Sequence, residues 1–330
     1  MTEEPDHDLT GKSYLITGAA GFIGSHLARK LVHDGAQVHA LVRRGSDLWR
    51  LSDIADRVVI HFADLNNQTA VYSCVKAAQP DCVFHLAAET RPDSSVTPRS
   101  VQEATRNVLE PLGNLLSALS ELQNPPSSFV RAGTIAEYGN SPLPYTEANR
   151  EAPVTQYGMA MLAGTHYLAM LSSRLPFPVI TARIALTFGP GQSLRFLVPA
   201  TLDACLSEQH IHIRRPHDKR DLLYIDDLIE ALLLVGSGTA EGYDIINLAT
   251  GQAPMMADVA LTVAGLVEAD PTLVSLEPVH ASNLPNVLLC DTRRARDVLG
   301  WQAKISWQGG LERMIAHERT FSGYRRSDYG

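Results

Sequence analysis

Short apolar runs alternate with longer amphipathic stretches along the first half of the chain. Because strands buried on both faces read as continuous apolar runs, this alternation predicts a parallel sheet covered by helices. The predicted strands are residues 14–17, 37–42, 58–62, 81–86, 128–131 and 178–183. The predicted helices are residues 25–32, 68–79, 98–122 and 154–173. The pattern therefore predicts an α/β fold built on a doubly wound parallel sheet.

The regular alternation ends near Gly189, and the rest of the chain predicts a smaller C-terminal lobe. A helical pattern over 228–235 predicts one return of the chain to the sheet. At 330 residues the chain is long enough for one large α/β unit with an appended lobe. The predicted boundaries are 12–185 for the first domain, about 215–250 for its returning segment, and 186–214 with 251–320 for the smaller lobe.

Three glycines follow the first predicted strand at the spacing G-x-x-G-x-x-G, directly before a helical pattern. Peptide N–H groups at the start of a helix bind a diphosphate well, and a Cβ atom in such a turn would keep it away. The second predicted strand follows at the distance expected of a βαβ unit, which favours a dinucleotide site over an ordinary strand-to-helix turn. We therefore predict a sheet of the Rossmann type with these dinucleotide contacts: Gly18, Gly21, Phe22, Ile23 and Gly24.

Two arginines, Arg43 and Arg44, follow the second predicted strand. Sites for NAD(H) tend to place a carboxylate near this strand end for the ribose hydroxyls, whereas the extra phosphate of NADP(H) suits guanidinium groups. The sequence thus favours NADP(H) over NAD(H), with two solvated loop arginines as the alternative interpretation.

Composition and charge limit the possible partners of the chain. A net charge of −8 argues against a nucleic-acid partner, because no basic excess is available to displace counterions from phosphates. The first residues are acidic and polar, unlike a signal peptide, and no apolar run is long enough to span a bilayer. We therefore expect a cytoplasmic protein with no membrane partner. The four cysteines lack C-x-x-C spacing and the histidines are scattered, so no metal site is predicted.

Several short motifs follow the glycine turn along the chain. They are Ala63-Asp64-Leu65, His85-Leu86-Ala87-Ala88, Asn107-Val108, Gly189-Pro190, Lys219 to Asp227 and Leu299-Gly300-Trp301. Together they resemble the extended short-chain dehydrogenase/reductases that modify nucleotide sugars, over residues 12–315. Within that family, the segments Gly189 to Leu194 and Ala136 to Gly139 are most similar to those of the 4-keto-6-deoxy-sugar reductases, especially the GDP-linked ones. The resemblance implies an NAD(P)-dependent enzyme that acts on a nucleotide-diphosphate (NDP) sugar bound by the smaller lobe.

The resemblance also implies roles for individual residues. Asp64 and Leu65 would contact the adenine, and Leu86, Ala87 and Ala88 would lie beside the nicotinamide. The implied substrate-binding residues are Arg220, Glu137, Thr90 and Arg195.

Two departures from the family's pattern concern the substrate, and one match to it concerns the assembly. Leu186 and His280 stand where many relatives carry an asparagine and an arginine, which leaves Arg220 as the main phosphate ligand. The family's usual homodimer pairs the helices that here contain Asn107 and Tyr157. An apolar stripe would supply the contact, or would face the sheet instead: Leu109, Leu112, Leu116 and Leu119.

The same resemblance places catalysis at Thr134 and Tyr157. In the family a hydroxyl holds the carbonyl oxygen and a tyrosine exchanges a proton with it, while hydride moves at the carbon. The family's lysine, four residues after the tyrosine, is replaced here by Met161. Residues four apart on a helix share a face, so the lysine would lower the pKa of the phenol, and a thioether cannot. A threonine at a strand end and a solvent-facing tyrosine, neither with a chemical role, are the alternative.

The missing lysine favours one direction of reaction. Oxidation of a sugar alcohol requires tyrosinate as the base, and with an ordinary phenol pKa of ~10 only about one molecule in a thousand carries it near neutral pH. Reduction of a ketone requires the neutral phenol as the acid, which stays abundant. In addition, Ala136 stands where sugar dehydratases of the family usually carry a glutamate for proton removal.

These observations lead to three hypotheses. The first is an NADP(H)-dependent reduction of a 4-keto NDP-sugar in deoxysugar biosynthesis, with Tyr157 as proton donor and Thr134 orienting the ketone. The second is an NDP-sugar epimerase or dehydratase that recycles its NAD(P). The third is a catalytically silent dinucleotide-binding protein, in which Met161 marks the loss of chemistry.

Overall fold

The computed structural model describes residues 9–88, 96–237, 242–278 and 286–321. Thr90, a predicted substrate contact, and His280, which replaces the family's arginine, lie outside these ranges. The chain forms two compact units. Unit 1 comprises Met1–Pro142, Glu147–Ile184 and Ile229–Asn247, and unit 2 comprises Leu143–Thr146, Ala185–Leu228 and Leu248–Gly330.

Strands and helices alternate through both units. The strands are β1 Ser13–Thr17, β2 Gln37–Val42, β3 Val58–Phe62, β4 Cys82–His85, β5 Ser128–Thr134, β6 Val179–Ile184, β7 Leu186–Phe188, β8 Ile211–Ile213, β9 Lys219–Arg220, β10 Leu222–Tyr224, β11 Tyr243–Leu248, β12 Val274–Leu276 and β13 Val287–Leu288. The helices are α1 Phe22–His33, α2 Gln68–Ala78, α3 Pro98–Ser120, α4 Gln156–Leu171, α5 Leu197–Leu206, α6 Ile225–Gly236, α7 Met256–Leu266, α8 Arg293–Leu299 and α9 Trp307–Phe321.

Unit 1 is built on a sheet whose described strands run in the order β11-β6-β5-β4-β1-β2-β3. The neighbouring strands from β6 to β3 pair in parallel. The predicted α/β fold of the doubly wound Rossmann type is therefore confirmed. The strand order reverses between β1 and β4, and in open α/β sheets ligands bind at the carboxyl ends of the strands at such a point.

The long helix α3 starts where the sequence predicts. The Thr97 side chain accepts a hydrogen bond from the Ser100 backbone in a capping box, and Pro98 opens the helix. Its apolar stripe faces the interior of unit 1. Three leucines of this stripe are at most 2% exposed and belong to the main core: Leu112, Leu116 and Leu119. They pack within this chain, so the structure does not support them as the contact surface of a dimer.

Unit 2 contains shorter strands. Its core packs α5 and α7 against β8 and β12 through Cys205, Ile213, Ala260, Ala264 and Val274. Strand β9 pairs with β13 and β10 pairs with β7. Residues 215–228 therefore belong to unit 2, and the predicted return to unit 1 begins later than expected, at Ile229. Among the described helices, none is long and apolar enough to cross a membrane.

Candidate active site

The predicted site residues of unit 1 follow the carboxyl ends of adjacent strands. In register, Thr17 of β1 lies beside His85 of β4, and His85 lies beside Arg131 of β5. Gly18 directly follows β1, and Thr134 is the last residue of β5. The sheet therefore gathers the glycine turn and the predicted catalytic threonine at one edge.

The glycine turn is packed against the backbone that follows β4. Gly18 has a φ of +71°, and a Cβ atom there would lie 2.8 Å from the backbone nitrogen of Ala87. A Cβ atom at Gly24 would lie 2.3 Å from the carbonyl oxygen of Gly18. Only glycine fits these two positions without moving the turn.

The start of α1 suits an anion. Gly21 is its N-cap residue, and in this described segment no side chain caps the helix and its first turn carries no acidic residue. The first N–H groups of a helix lack partners within the helix and carry the positive end of its dipole. The amides of Phe22, Ile23 and Gly24 therefore form a cradle for a diphosphate, and the glycine turn that carries it fits a dinucleotide.

A buried pair supports the segment after β4. The Oγ1 atom of Thr17 lies 2.8 Å from Nδ1 of His85 and accepts a hydrogen bond from the backbone N–H of Ala87 at 3.3 Å. Burial, with the nearby positive charge of Arg131, lowers the pKa of His85 to about 3. His85 is thus neutral near pH 7, so the Thr17 hydroxyl can donate to it while holding Ala87 beside Gly18.

The residues predicted for the adenosine half follow β2 and β3. Arg43 and Arg44 are exposed after β2. Asp64 is exposed after β3, and its Oδ1 accepts hydrogen bonds from the backbone and side chain of Asn66 at 2.9 and 3.1 Å. Leu65 is 9% exposed. These positions lie along the same sheet edge as the glycine turn.

Tyr157 lies near the beginning of α4, and a close contact fixes that beginning. The Thr155 side chain caps the helix by accepting from the Gly158 backbone N–H at 3.0 Å. A Cβ atom at Gly158 would lie only 2.4 Å from the carbonyl oxygen of Ala136, in the turn after β5. The helix start therefore lies directly against the turn that follows Thr134.

The phenol of Tyr157 is within hydrogen-bonding reach of Thr134. Burial raises the pKa of this phenol above its ordinary value, and the hydrogen bond with Thr134 opposes part of that rise. Met161, one turn along α4, is 2% exposed and supplies no charge. The phenol is therefore neutral near pH 7, and its chemistry is that of an acid.

Glu137 does not occupy the position predicted for it. Its side chain is fully buried in a short turn after β5. Its carboxylate accepts hydrogen bonds from the Thr134 backbone N–H at 3.1 Å, the Thr165 hydroxyl at 2.8 Å and Arg183 Nε at 2.8 Å. A carboxylate enclosed by the protein's own donors does not fit the predicted substrate contact, so we reassign Glu137 to the interior of unit 1.

Two buried arginines complete this interior cluster, and the sequence analysis missed their role. Arg183 of β6 pairs with Glu151 at 2.6 Å as well as with Glu137. Arg131 of β5 donates to the Met161 carbonyl oxygen at 2.8 Å and to the Thr165 hydroxyl at 3.1 Å. The sequence contained one signal for this cluster, an arginine inside each of two apolar strand runs. Because buried charges in proteins are paired, such an arginine predicts an acidic partner in the interior.

Of the two predicted substrate residues in unit 2, Arg220 has an acidic partner within the unit and Arg195 is exposed. Arg220 pairs with Asp218 and donates to the Asn286 carbonyl oxygen at 2.8 Å. Arg215 also pairs with Asp218, at 2.6 Å. Arg195 is exposed in the turn before α5. The described residues contain no group of three or more His, Cys, Asp or Glu placed to hold a metal ion.

Comparisons with known proteins show which proteins the chain is similar to. A dTDP-glucose 4,6-dehydratase of Shigella flexneri is 26% identical over 333 residues, covering 91% of each chain. A dTDP-4-dehydro-6-deoxyglucose reductase of Escherichia coli is 24% identical and covers 93% of this chain and 98% of its own. The solved structure of MoeE5 in complex with UDP-glucuronic acid and NAD has a TM-score of 0.80 and 27% identity, covering 93% of this chain and 99% of its own.

The sequence profile of one family, described as GDP-mannose 4,6 dehydratase, matches residues 15–314. The resemblance inferred from the motifs is thus confirmed at the level of the family. The chain belongs to this family of NAD(P)-dependent extended short-chain dehydrogenase/reductases, whose members are dehydratases, epimerases and reductases of sugar nucleotides.

Proposed function

We propose that the protein reduces a 4-keto NDP-sugar with a reduced nicotinamide dinucleotide, as a step in deoxysugar biosynthesis. The observation that carries the proposal is the packing of the start of α4 against the turn after β5, which places Tyr157 near Thr134, with Met161 where the family's lysine would stand. Burial raises the pKa of this phenol, which is therefore neutral near pH 7. A neutral phenol is the proton donor that ketone reduction requires.

The glycine turn would hold the dinucleotide. The amides of Phe22, Ile23 and Gly24 would meet its diphosphate, and Asp64 and Leu65 would contact the adenine. The exposed guanidinium groups of Arg43 and Arg44 keep NADP(H) as the proposed cofactor, although the related MoeE5 structure contains NAD. Arg43→Ala/Arg44→Ala should weaken NADPH binding about 10-fold or more and leave NADH binding unchanged, as measured by calorimetry.

The chemistry needs two side chains of this chain. Thr134 would hold the carbonyl oxygen of the substrate, and Tyr157 would give its proton to that oxygen as the bond order falls. A bound reduced dinucleotide supplies the hydride. Leu86, Ala87 and Ala88 would border the nicotinamide, since they follow β4 between the glycine turn and β5.

Substrate contacts and assembly are further parts of the proposal. From the resemblance, Arg220 and Arg195 are proposed as ligands of the nucleotide diphosphate.

A homodimer through α3 and α4 is proposed with exposed residues of α4 at the contact, because the leucine stripe of α3 is internal. Met159 and Met170 are 42% and 57% exposed on α4. Sedimentation of the wild type against Met159→Glu/Met170→Glu tests this contact.

An epimerase or dehydratase that recycles its cofactor is the second candidate, favoured by the match to a 4,6-dehydratase. Both of those reactions begin by oxidation, for which Tyr157 would have to ionise. Its raised pKa and the alanine at position 136 oppose this. The third candidate, a silent dinucleotide-binding protein, predicts tight cofactor binding and no turnover.

Absorbance of the reduced nicotinamide during turnover separates these functions. With a panel of 4-keto NDP-sugars, a net reductase consumes one reduced dinucleotide for each substrate molecule. Tyr157→Phe should lower kcat at least ~100-fold while the dinucleotide affinity stays close to wild type. Product formation without net oxidation of the cofactor would instead support the recycling enzymes.

A further inference from the structure

Arg131 reaches from β5 to the helix that carries Tyr157. Its Nη2 atom donates to the Met161 carbonyl oxygen at 2.8 Å and lies 3.6 Å from the Met161 Sδ atom. Arg131 is 1% exposed and Met161 is 2% exposed. A buried guanidinium therefore contacts the residue that stands four positions after the tyrosine.

The sequence of α4 leaves room for this guanidinium. A Cβ atom at Gly164 would lie 2.5 Å from Arg131 Nη2 and 2.8 Å from its central carbon. Thr165, the next residue, accepts from Nη1 at 3.1 Å. Positions 161, 164 and 165 share one face of the helix, so this face is shaped around the arginine.

The charges in this part of unit 1 balance. Among its described residues, two guanidinium groups meet two carboxylates: Arg131, Arg183, Glu137 and Glu151. The cluster is close enough to act on the phenol of Tyr157. The positive charge of Arg131 lowers the pKa of Tyr157, and the negative charge of Glu137 raises it.

We propose that Arg131 is a positioning residue that places a fixed positive charge beside α4 from the strand side, and that Met161 is the neutral side chain its presence requires. A lysine at position 161 would bring a second cation to this buried surrounding, because Sδ, which takes the place of the lysine Cδ, already lies 3.6 Å from Nη2 of Arg131. Among the described residues of the cluster, no carboxylate is left over to pair with it. The absence of lysine then follows from the buried arginine. The charge of Arg131 does not cancel the effect of burial, so the pKa of Tyr157 stays above its ordinary value and the phenol stays an acid. The inference extends the proposed function, and its tests need no substrate.

A double-mutant cycle in thermal unfolding compares the wild type, Arg131→Met, Met161→Lys and the double variant, and it tests whether Arg131 excludes a lysine from position 161. Met161→Lys should lower the melting temperature by roughly 6 to 15 °C, the effect of an unpaired buried charge. Arg131→Met/Met161→Lys should melt higher than Met161→Lys by about 4 °C or more, because the two cations no longer meet. Met161→Leu and Leu261→Lys are the matched controls, since the first keeps the site neutral and the second adds a lysine at an exposed helix position.

The outcomes of this cycle decide the question even if a variant unfolds. A double variant that folds when Met161→Lys does not, or that melts well above it, supports the proposal. A double variant no more stable than Met161→Lys would overturn it, and so would a Met161→Lys protein as stable as the wild type.

A titration of position 157 separates an electrostatic role from a purely structural one. Fluorotyrosine placed at position 157 ionises at lower pH than tyrosine and reports its own pKa by fluorine NMR. Arg131→Met should raise this pKa and Glu137→Gln should lower it, whereas Arg131→Lys should leave it near the wild-type value. Shifts in the same direction for Arg131→Met and Glu137→Gln, or no shift in either, would contradict the proposal. If both tests succeed and no keto-sugar is reduced, only the proposed function has failed.

Discussion

Replacing Gly158 by alanine should separate Tyr157 from Thr134 without altering either side chain. The new Cβ atom would lie 2.4 Å from the carbonyl oxygen of Ala136, whereas ordinary contacts begin at 3.4 Å. The difference between these two distances, about 1 Å, is the distance by which the start of α4 or the turn after β5 must move. No glycine-only φ angle is involved at this position, so the effect comes from the contact alone.

The size of the effect follows from this displacement. A misplacement of about 1 Å between catalytic groups costs roughly 100-fold in rate, so kcat should fall by about that factor. The unfolding free energy should fall by about 1 to 3 kcal/mol, the usual cost of an overpacked contact. Dinucleotide affinity should change little, because the glycine turn after β1 is untouched.

Three measurements on Gly158→Ala check these values: urea unfolding, kcat with a 4-keto NDP-sugar, and the pKa of fluorotyrosine at position 157. That pKa should rise, because the hydrogen bond with Thr134 lowers it in the wild type. Gly265→Ala in α7 is the matched control, since among the described residues nothing lies within 4 Å of its added Cβ. The control should gain up to ~1 kcal/mol from helix propensity. A Gly158→Ala protein with wild-type kcat and wild-type pKa would refute the reasoning.

Three further substitutions test other parts of the structure. Gly24→Ala should reduce dinucleotide affinity at least ~10-fold by calorimetry, because its Cβ would lie 2.3 Å from the Gly18 carbonyl oxygen; an unchanged affinity would count against the cradle. Burial, with the nearby His61, lowers the pKa of His39 to about 4, so the folded state loses up to about 3 kcal/mol as pH falls from 6.5 to about 4. His39→Leu should flatten this dependence of the unfolding free energy on pH, and His210→Leu, at an exposed position, should keep it. Equal slopes for His39→Leu and the wild type would show that folding does not lower the pKa of His39. Asp221→Ala should cost roughly 2 to 4 kcal/mol in urea unfolding, because the buried carboxylate accepts from the backbone N–H groups of Thr250 and Gly251 at 2.8 and 3.0 Å; a loss below 1 kcal/mol would mean that these donors find other partners.

The sheet of unit 1 could be predicted from the sequence because its signals are local. Strands β2 and β3 begin and end at the predicted residues, since each is an apolar run with polar neighbours. The start of helix α3 at Pro98 could also be predicted, because the capping residue Thr97 and Pro98 are adjacent in the sequence. Unit 2 was harder, because β9 and β10 have only two and three residues and show no periodicity.

The contacts of the site depend on residues distant in the sequence. Arg131 donates a hydrogen bond to a helix residue 30 positions away, and no local sequence pattern predicts this contact. The side chain of Glu137 turns inward because Arg183 and Thr165 are there to meet it. The leucines of α3 show a further limit, since an apolar stripe predicts burial and does not say against which surface.

Transfer of deuterium from the cofactor tests the central claim most directly. The enzyme would be given a 4-keto NDP-sugar and a reduced dinucleotide carrying deuterium at the hydride position. Our account predicts one deuterium at the former carbonyl carbon of each product molecule and one oxidised dinucleotide released with it. Unlabelled product, or product formed while the cofactor stays reduced, would contradict it.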